Sequence, residues 1–97
     1  MSFIEAQGSK LRVSGAMTME NVHALLDESR AAFSSENLEM DLSGVSDVDS
    51  TAVSMMFEWL RQAHSRNISL IFVNLPSNLV NMATLYGVLD LIPQHDH

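Results

Sequence analysis

A strand that runs directly into a helix through an acid and a hydroxyl constrains this chain more than any other feature. The segment is Asp41-Leu-Ser-Gly-Val-Ser-Asp-Val-Asp49-Ser50-Thr51-Ala52. Leu38, Met40 and Leu42 alternate with polar neighbours at the strand period, Gly44 breaks the run, and from Val53 onward the apolar spacing is helical. Ser50 is therefore expected at or next to the N-cap of that helix, and the turn is the expected place of function.

The rest of the chain reads in the same way. Phe3 to Gln7 and Lys10 to Ser14 are two short strands around a Gly8-Ser9 hairpin, ended by Gly15. Thr18 is placed to cap a first helix in which Val22, Leu25, Leu26, Ser29 and Phe33 share one face, with Glu20 near its positive end. Ser34 to Asn37 closes that helix. Ile68 to Val73 is a β-rich run with few polar positions, as expected for a strand in the middle of a sheet or covered on both faces. After a turn over Asn74 to Ser77, Pro76 suits the first turn of a third helix. Its stripe is Leu79, Met82, Ala83 and Tyr86, and Gly87 stands at C′. Val88 to Ile92 adds either a short edge strand or a last turn. The order ββαβαβα implies an α/β domain: a small mixed sheet of four to five strands packed with about three helices, its third and fourth strands parallel beside an antiparallel start. Residues 93–97 are expected to form a mobile tail.

The second helix, read over Thr51 to His64, has an unusually wide apolar surface. With Val53 at the centre of the buried face, that face also holds Met56, Phe57, Leu60 and His64. Ala52, Met55, Trp59 and Ala63 then extend the apolar arc to roughly 200°, about twice what a one-sided surface helix needs. Either a neighbouring element covers Met55 and Trp59 or a partner protein does, since Trp is enriched at binding hot spots and Met adapts to a partner's surface.

Several function classes are excluded or disfavoured. Ninety-seven residues make one domain, and 12 Asp+Glu against 5 Lys+Arg leave no electrostatic footprint for nucleic acid or an anionic lipid surface. No apolar stretch approaches the roughly 20 residues that span a bilayer, and the N-terminus has no signal-peptide pattern, so a soluble cytoplasmic protein is expected. Cysteine is absent, which removes thiol chemistry. No nucleophile elbow, phosphate loop, dinucleotide fingerprint or zinc-helix motif occurs, so neither catalysis nor a cofactor is expected. The four histidines are scattered, and His95 and His97 around Asp96 are read as a solvated end, not a metal site.

Asp49 and Ser50 support two readings. A side-chain oxygen at a helix start accepts an orphan backbone N–H, which accounts for both residue types without function. An exposed hydroxyl there also donates to a partner, or takes a phosphate whose added charge of about −1.5 to −2 disrupts a docked surface.

At these residues the chain resembles a STAS domain, the fold shared by bacterial anti-sigma factor antagonists, cytoplasmic tails of sulfate transporters and a small subunit of the phospholipid-transporting Mla ABC complex. The similarity covers nearly the whole length, residues 1–97. Ser50 matches the position phosphorylated in the antagonists, while Ala52 stands where they usually carry glycine. Ser14-Gly-Ala-Met-Thr-Met-Glu-Asn-Val-His-Ala-Leu-Leu26 and Asn78-Leu-Val-Asn-Met-Ala-Thr-Leu-Tyr-Gly-Val88 are similar to the Mla subunit. That resemblance implies a non-catalytic subunit bound to an ABC transporter ATPase and peripheral to the inner-membrane complex. Ser50 and Thr51 would give polar contacts, Met55 and Trp59 an apolar anchor, and Glu58 an ion pair. The alternative it implies is an anti-sigma factor antagonist whose kinase partner phosphorylates Ser50. A homodimer through Trp59 is expected where the partner is missing.

Overall fold

The computed structural model describes residues 3–33 and 36–94. Strands β1 (Ile4–Gln7) and β2 (Lys10–Met17) lead to helix α1 (Val22–Ala32), and β3 (Asn37–Val48) to α2 (Ser50–Ser65). Then follow β4 (Ser69–Val73), α3 (Ser77–Leu85) and a 3₁₀ turn over Leu89–Leu91. The four strands form one sheet in the order β1-β2-β3-β4. β1 pairs antiparallel to β2, while the β2–β3 and β3–β4 pairs are parallel, as the element order implies. Crossovers of one hand between strands that are neighbours in the same direction put all helices on one face. The burial pattern agrees: Leu11, Val13, Leu38, Met40, Leu42, Leu70 and Phe72 face the helices in the core, whereas Lys10, Arg12, Ser14 and Ser43 on the alternate positions are exposed.

This one-sided architecture explains the width of the apolar arc on α2. Its buried residues are Ala52, Val53, Met55, Met56, Trp59 and Ala63. Phe57 and Leu60 are only partly covered and His64 is exposed, so the buried face is turned by about a quarter of the helix circumference from the one centred on Val53. As the middle helix of three, α2 touches the sheet, α1 and α3, and an arc wide enough for all of them is filled from within. Trp59 is 0 % exposed and packs against Phe72 in a tilted arrangement with ring centroids 6.4 Å apart, and Met55 is 1 % exposed. Both are core residues, which corrects their assignment as an external anchor and removes Trp59 as a dimer contact.

Other local features also differ from those read from the sequence. Gly15 does not end β2: with φ +90° it sits beside shifts in the β2–β3 register, and glycine there allows an irregularity within a continuing strand. Gly44 lies inside β3, where an added Cβ would stand 2.8 Å from the Val13 carbonyl oxygen and 2.9 Å from Ser14 Oγ; it permits close strand approach and does not terminate the strand. Thr18 is not a helix cap. Its carbonyl accepts from Asn21 N–H (3.0 Å) in the turn before α1, and Asn21 Nδ2 donates to the Ala16 carbonyl (2.9 Å). β4 lies at the sheet edge, where Phe72 N–H donates to the Pro93 carbonyl (2.9 Å) and Gln94 bridges to Phe72. That contact gives residues 93 and 94 of the expected tail a place against β4; His95 to His97, like Ser34 and Ser35, lie outside the described residues.

Candidate protein-docking site

Met17 and Val48 pair side by side at the carboxyl ends of two parallel strands, which brings the β2–α1 loop against the start of α2. The carboxyl ends of parallel strands are where open α/β sheets present their binding groups. Asp49 fastens the two loops together. It occupies the N-cap of α2, with Oδ1 accepting from Thr51 N–H at 2.8 Å and Oδ2 accepting from Met19 N–H at 3.0 Å. The Met19 N–H above all, against some desolvation, and then the Thr51 N–H and hydroxyl hold the Asp49 carboxyl below its ordinary 3.8. With both oxygens engaged by the backbone, Asp49 fixes the geometry of the two loops.

Ser50 is the first residue of α2 and is exposed. Its hydroxyl has no hydrogen-bond partner among the described residues, so it is available to an outside group. Thr51 is half-buried beside it. Next to them lies a shallow hollow of about 570 Å³ lined by Thr18, Met19, Glu20, Asp47, Val48 and Asp49, along with Ala16. Met19 is 72 % exposed. Three carboxylates and no cation line this hollow, giving one end of the molecule an acidic rim around an apolar side chain.

The other expected site residues lie elsewhere. Glu58 is about 12 Å along α2 from Ser50 at 1.5 Å per residue, on the flank toward α1. It lines a smaller hollow of about 270 Å³ with Val22, Leu26, Arg30, Ser54 and Met55. Its carboxylate is already engaged, accepting from Arg61 Nη2 at 2.6 Å and Arg61 Nε at 3.2 Å. That Arg61 bond is the main reason its carboxyl sits below the ordinary 4.5. The fold thus brings Ser50, Thr51 and Asp49 together and leaves Glu58 and the buried Met55 and Trp59 apart from them. Met19, Glu20 and Asp47, absent from the sequence-level site, join it only because two loops far apart in the chain meet.

A second carboxylate, Asp41, lies mid-strand in β3 and is 7 % exposed. Burial alone would raise its carboxyl. The Ser43 N–H, the Asn74 amide, the Ser43 hydroxyl and Lys10 together hold it below 3.8 instead. Asn74 Nδ2 donates to Asp41 Oδ1 at 3.1 Å, and Lys10 Nζ lies 3.8 Å from Oδ2. Among the described residues no three His, Asp or Glu side chains converge on a cation site, and no helix is long and apolar enough to cross a membrane.

Comparison with known proteins accords with this geometry. The chain is similar over 97 % of its length to the solved structure of a Thermotoga maritima protein described as an anti-sigma factor antagonist, with TM-score 0.77, 14 % identity and 85 % of that chain covered. It is likewise similar to the unphosphorylated form of the anti-sigma factor antagonist SpoIIAA, with TM-score 0.72, 13 % identity, and 97 % and 87 % of the two chains covered. At such identities the likeness speaks for the fold alone. No curated protein sequence matches the chain. The family model described as "Mlab, STAS domain" matches residues 3–93, and the chain accordingly belongs to the MlaB-type STAS domain family.

Proposed function

We propose that this chain is a non-catalytic STAS subunit that docks on the cytoplasmic ATPase of a phospholipid-transporting, Mla-type ABC complex and supports its assembly and turnover. The observation that carries this reading is the MlaB-type family match over residues 3–93, together with one end of the domain built for contact: an exposed Ser50 hydroxyl beside an exposed Met19. Asp49 holds the two loops in register, so the contact surface is preorganised and little order is lost on binding. Ser50 donates to the partner, Thr51 adds a polar contact at the same helix start, and Met19 takes the role of apolar anchor. Glu58 contributes at most from the α1 flank, and only if it exchanges Arg61 for a partner's cation. ATP is bound and hydrolysed by the partner. The chain works on the cytoplasmic side and reaches the membrane through that protein, because its acidic docking end repels anionic lipid and nucleic acid alike.

Co-expression with the candidate ATPase tests this. Ser50→Lys and Met19→Ala should each reduce co-purification and ATP turnover while leaving the circular dichroism spectrum unchanged. Unchanged co-purification with both variants would show that the surface is wrong.

The free, exposed Ser50 hydroxyl also favours a second reading, an anti-sigma factor antagonist whose kinase partner phosphorylates Ser50. A phosphate among Glu20, Asp47 and Asp49 would add charge to an already acidic end and weaken docking on an acidic or neutral surface. Intact-mass spectrometry after incubation with cell extract and ATP should then show one phosphate that Ser50→Ala removes; its absence across growth conditions counts against this reading.

A further inference from the structure

From Asn67 to Leu89 the chain carries no Asp, Glu, Lys, Arg or His, in a protein of 12 acidic and 5 basic residues. This run includes the whole of α3. Its exposed positions are neutral: Ser77, Asn78, Asn81, Thr84, Leu85 and Tyr86. Three of the four large apolar side chains most exposed among the described residues lie at its end. Leu85 is 81 % exposed, Tyr86 51 % and, in the adjoining 3₁₀ turn, Leu91 64 %. α3 descends from the carboxyl end of β4, so this patch is at the opposite end of the sheet from Ser50. The apolar end of the helix is therefore away from the surface assigned to the ATPase, although α3 starts at Ser77 on the same end of the sheet as Ser50.

We propose that this uncharged face of α3, with Leu85, Tyr86 and Leu91 at its end, is a homodimer interface whose occupant is a second copy of this chain. Depletion of charge with exposed aromatic and aliphatic side chains marks the core of an interface. Charge also decides the occupant. In a two-fold dimer the same patch meets itself, so every charge on it faces its own like. At a net charge of −7, most faces bring carboxylates together: Glu20, Asp47 and Asp49 at the Ser50 end, and Asp27 and Glu28 on α1. α3 alone among the helices opposes only amides, hydroxyls and apolar groups to their copies. A partner selected by charge would find nothing on this face to read, whereas a neutral patch is its own complement. The next charge along the chain, Asp90, is exposed in the 3₁₀ turn beside Leu91.

Sedimentation equilibrium of the isolated chain from micromolar to millimolar concentration tests the proposal. The expected result is a monomer–dimer equilibrium that tightens with added salt, because salt screens the repulsion between two acidic copies without breaking any ion pair. Leu85→Glu and Leu91→Glu, both at exposed positions, should each weaken dimerisation by about tenfold or more, and Ser50→Lys should leave it unchanged. A monomer throughout that range, or a dimer indifferent to both glutamates, overturns the proposal. So does a Leu85→Glu variant that loses the ATPase while self-association is unaltered, because the face then belongs to that partner. Loss of the ATPase with Ser50→Lys alone bears on the docking site and leaves the dimer untouched.

Discussion

Replacing Trp59 separates a core residue from a docking anchor in a single experiment. The indole is 0 % exposed, lies against Phe72, and its Nε1–H is buried with no partner. Truncating a buried Trp to Ala removes its apolar contacts and leaves a cavity, at a cost of about 3–5 kcal/mol. The unpartnered N–H already costs the native state about 1–3 kcal/mol, and its removal offsets part of that loss, so Trp59→Ala should destabilise by about 2 kcal/mol. For a domain of this size, about 4–8 °C per kcal/mol puts the fall in Tm at roughly 8–16 °C. Trp59→Phe keeps a ring against Phe72 and deletes the orphan donor. Loss of the second ring, about 1–2 kcal/mol of packing, nearly cancels the relief, and stability should stay within about 1 kcal/mol of wild type. Because Trp59 is the one tryptophan in the chain, urea unfolding of the variants is followed by far-ultraviolet circular dichroism. Native fluorescence of the parent reports Trp59 alone and should be blue-shifted and insensitive to acrylamide. A Trp59→Ala variant as stable as the parent, or an indole quenched like a free one, would refute the packing argument.

Other consequences are as direct. Asp41, Asp49 and Glu58 all have folded carboxyls below their ordinary 3.8, 3.8 and 4.5, so the folded chain binds fewer protons than the unfolded one in that range. Their contribution is complete above those values and lost as pH falls through them: urea midpoints should be level down to about pH 5.5 and drop below about pH 4, and a midpoint that rises on acidification would contradict the assignment. Gly44→Ala drives a Cβ into the Val13 carbonyl and should cost about 1–3 kcal/mol in thermal or urea unfolding. Gly8→Asn, at φ +62° with nothing within 4 Å, should be nearly neutral, since Asn tolerates that conformation. Asp49→Ala should accelerate amide exchange at both Met19 and Thr51; acceleration at Thr51 alone would mean that the carboxylate does not tie the loops.

Periodicity and turn chemistry carried most of the fold. The hairpin at Gly8-Ser9, the α1 stripe, the Asp49-Ser50 helix start and the Gly87 terminus are local features, each found where local chemistry puts it, and the parallel pairing of the third and fourth strands follows from the element order. What periodicity cannot supply is context. It gave the width of the apolar arc on α2 but not its purpose, because a middle helix needs cover on both flanks and a partner-binding helix has the same pattern. Gly15 and Gly44 read as strand ends because a glycine that breaks a strand and one that lets two strands close up look alike in sequence. β4 read as either a central strand or one covered on both faces because its apolar run is so continuous, whereas it lies at the sheet edge, met by Pro93 and Gln94. At the site, Ser50 and Thr51 were legible from the helix start alone. Met19, Glu20 and Asp47 were not: no motif links them, and only the Met19 N–H bond to Asp49 and the Met17–Val48 pairing assemble them.

Amide hydrogen exchange of the chain alone and bound to its candidate ATPase bears most directly on where the molecule is held. Slower exchange on binding is predicted at residues 18–20 and 49–54, the two loops joined by Asp49, with little change along β1. Slowing confined to the α1–α2 flank or to β1, with Thr18 to Glu20 and the start of α2 exchanging as in the free chain, would contradict docking through the Ser50 end.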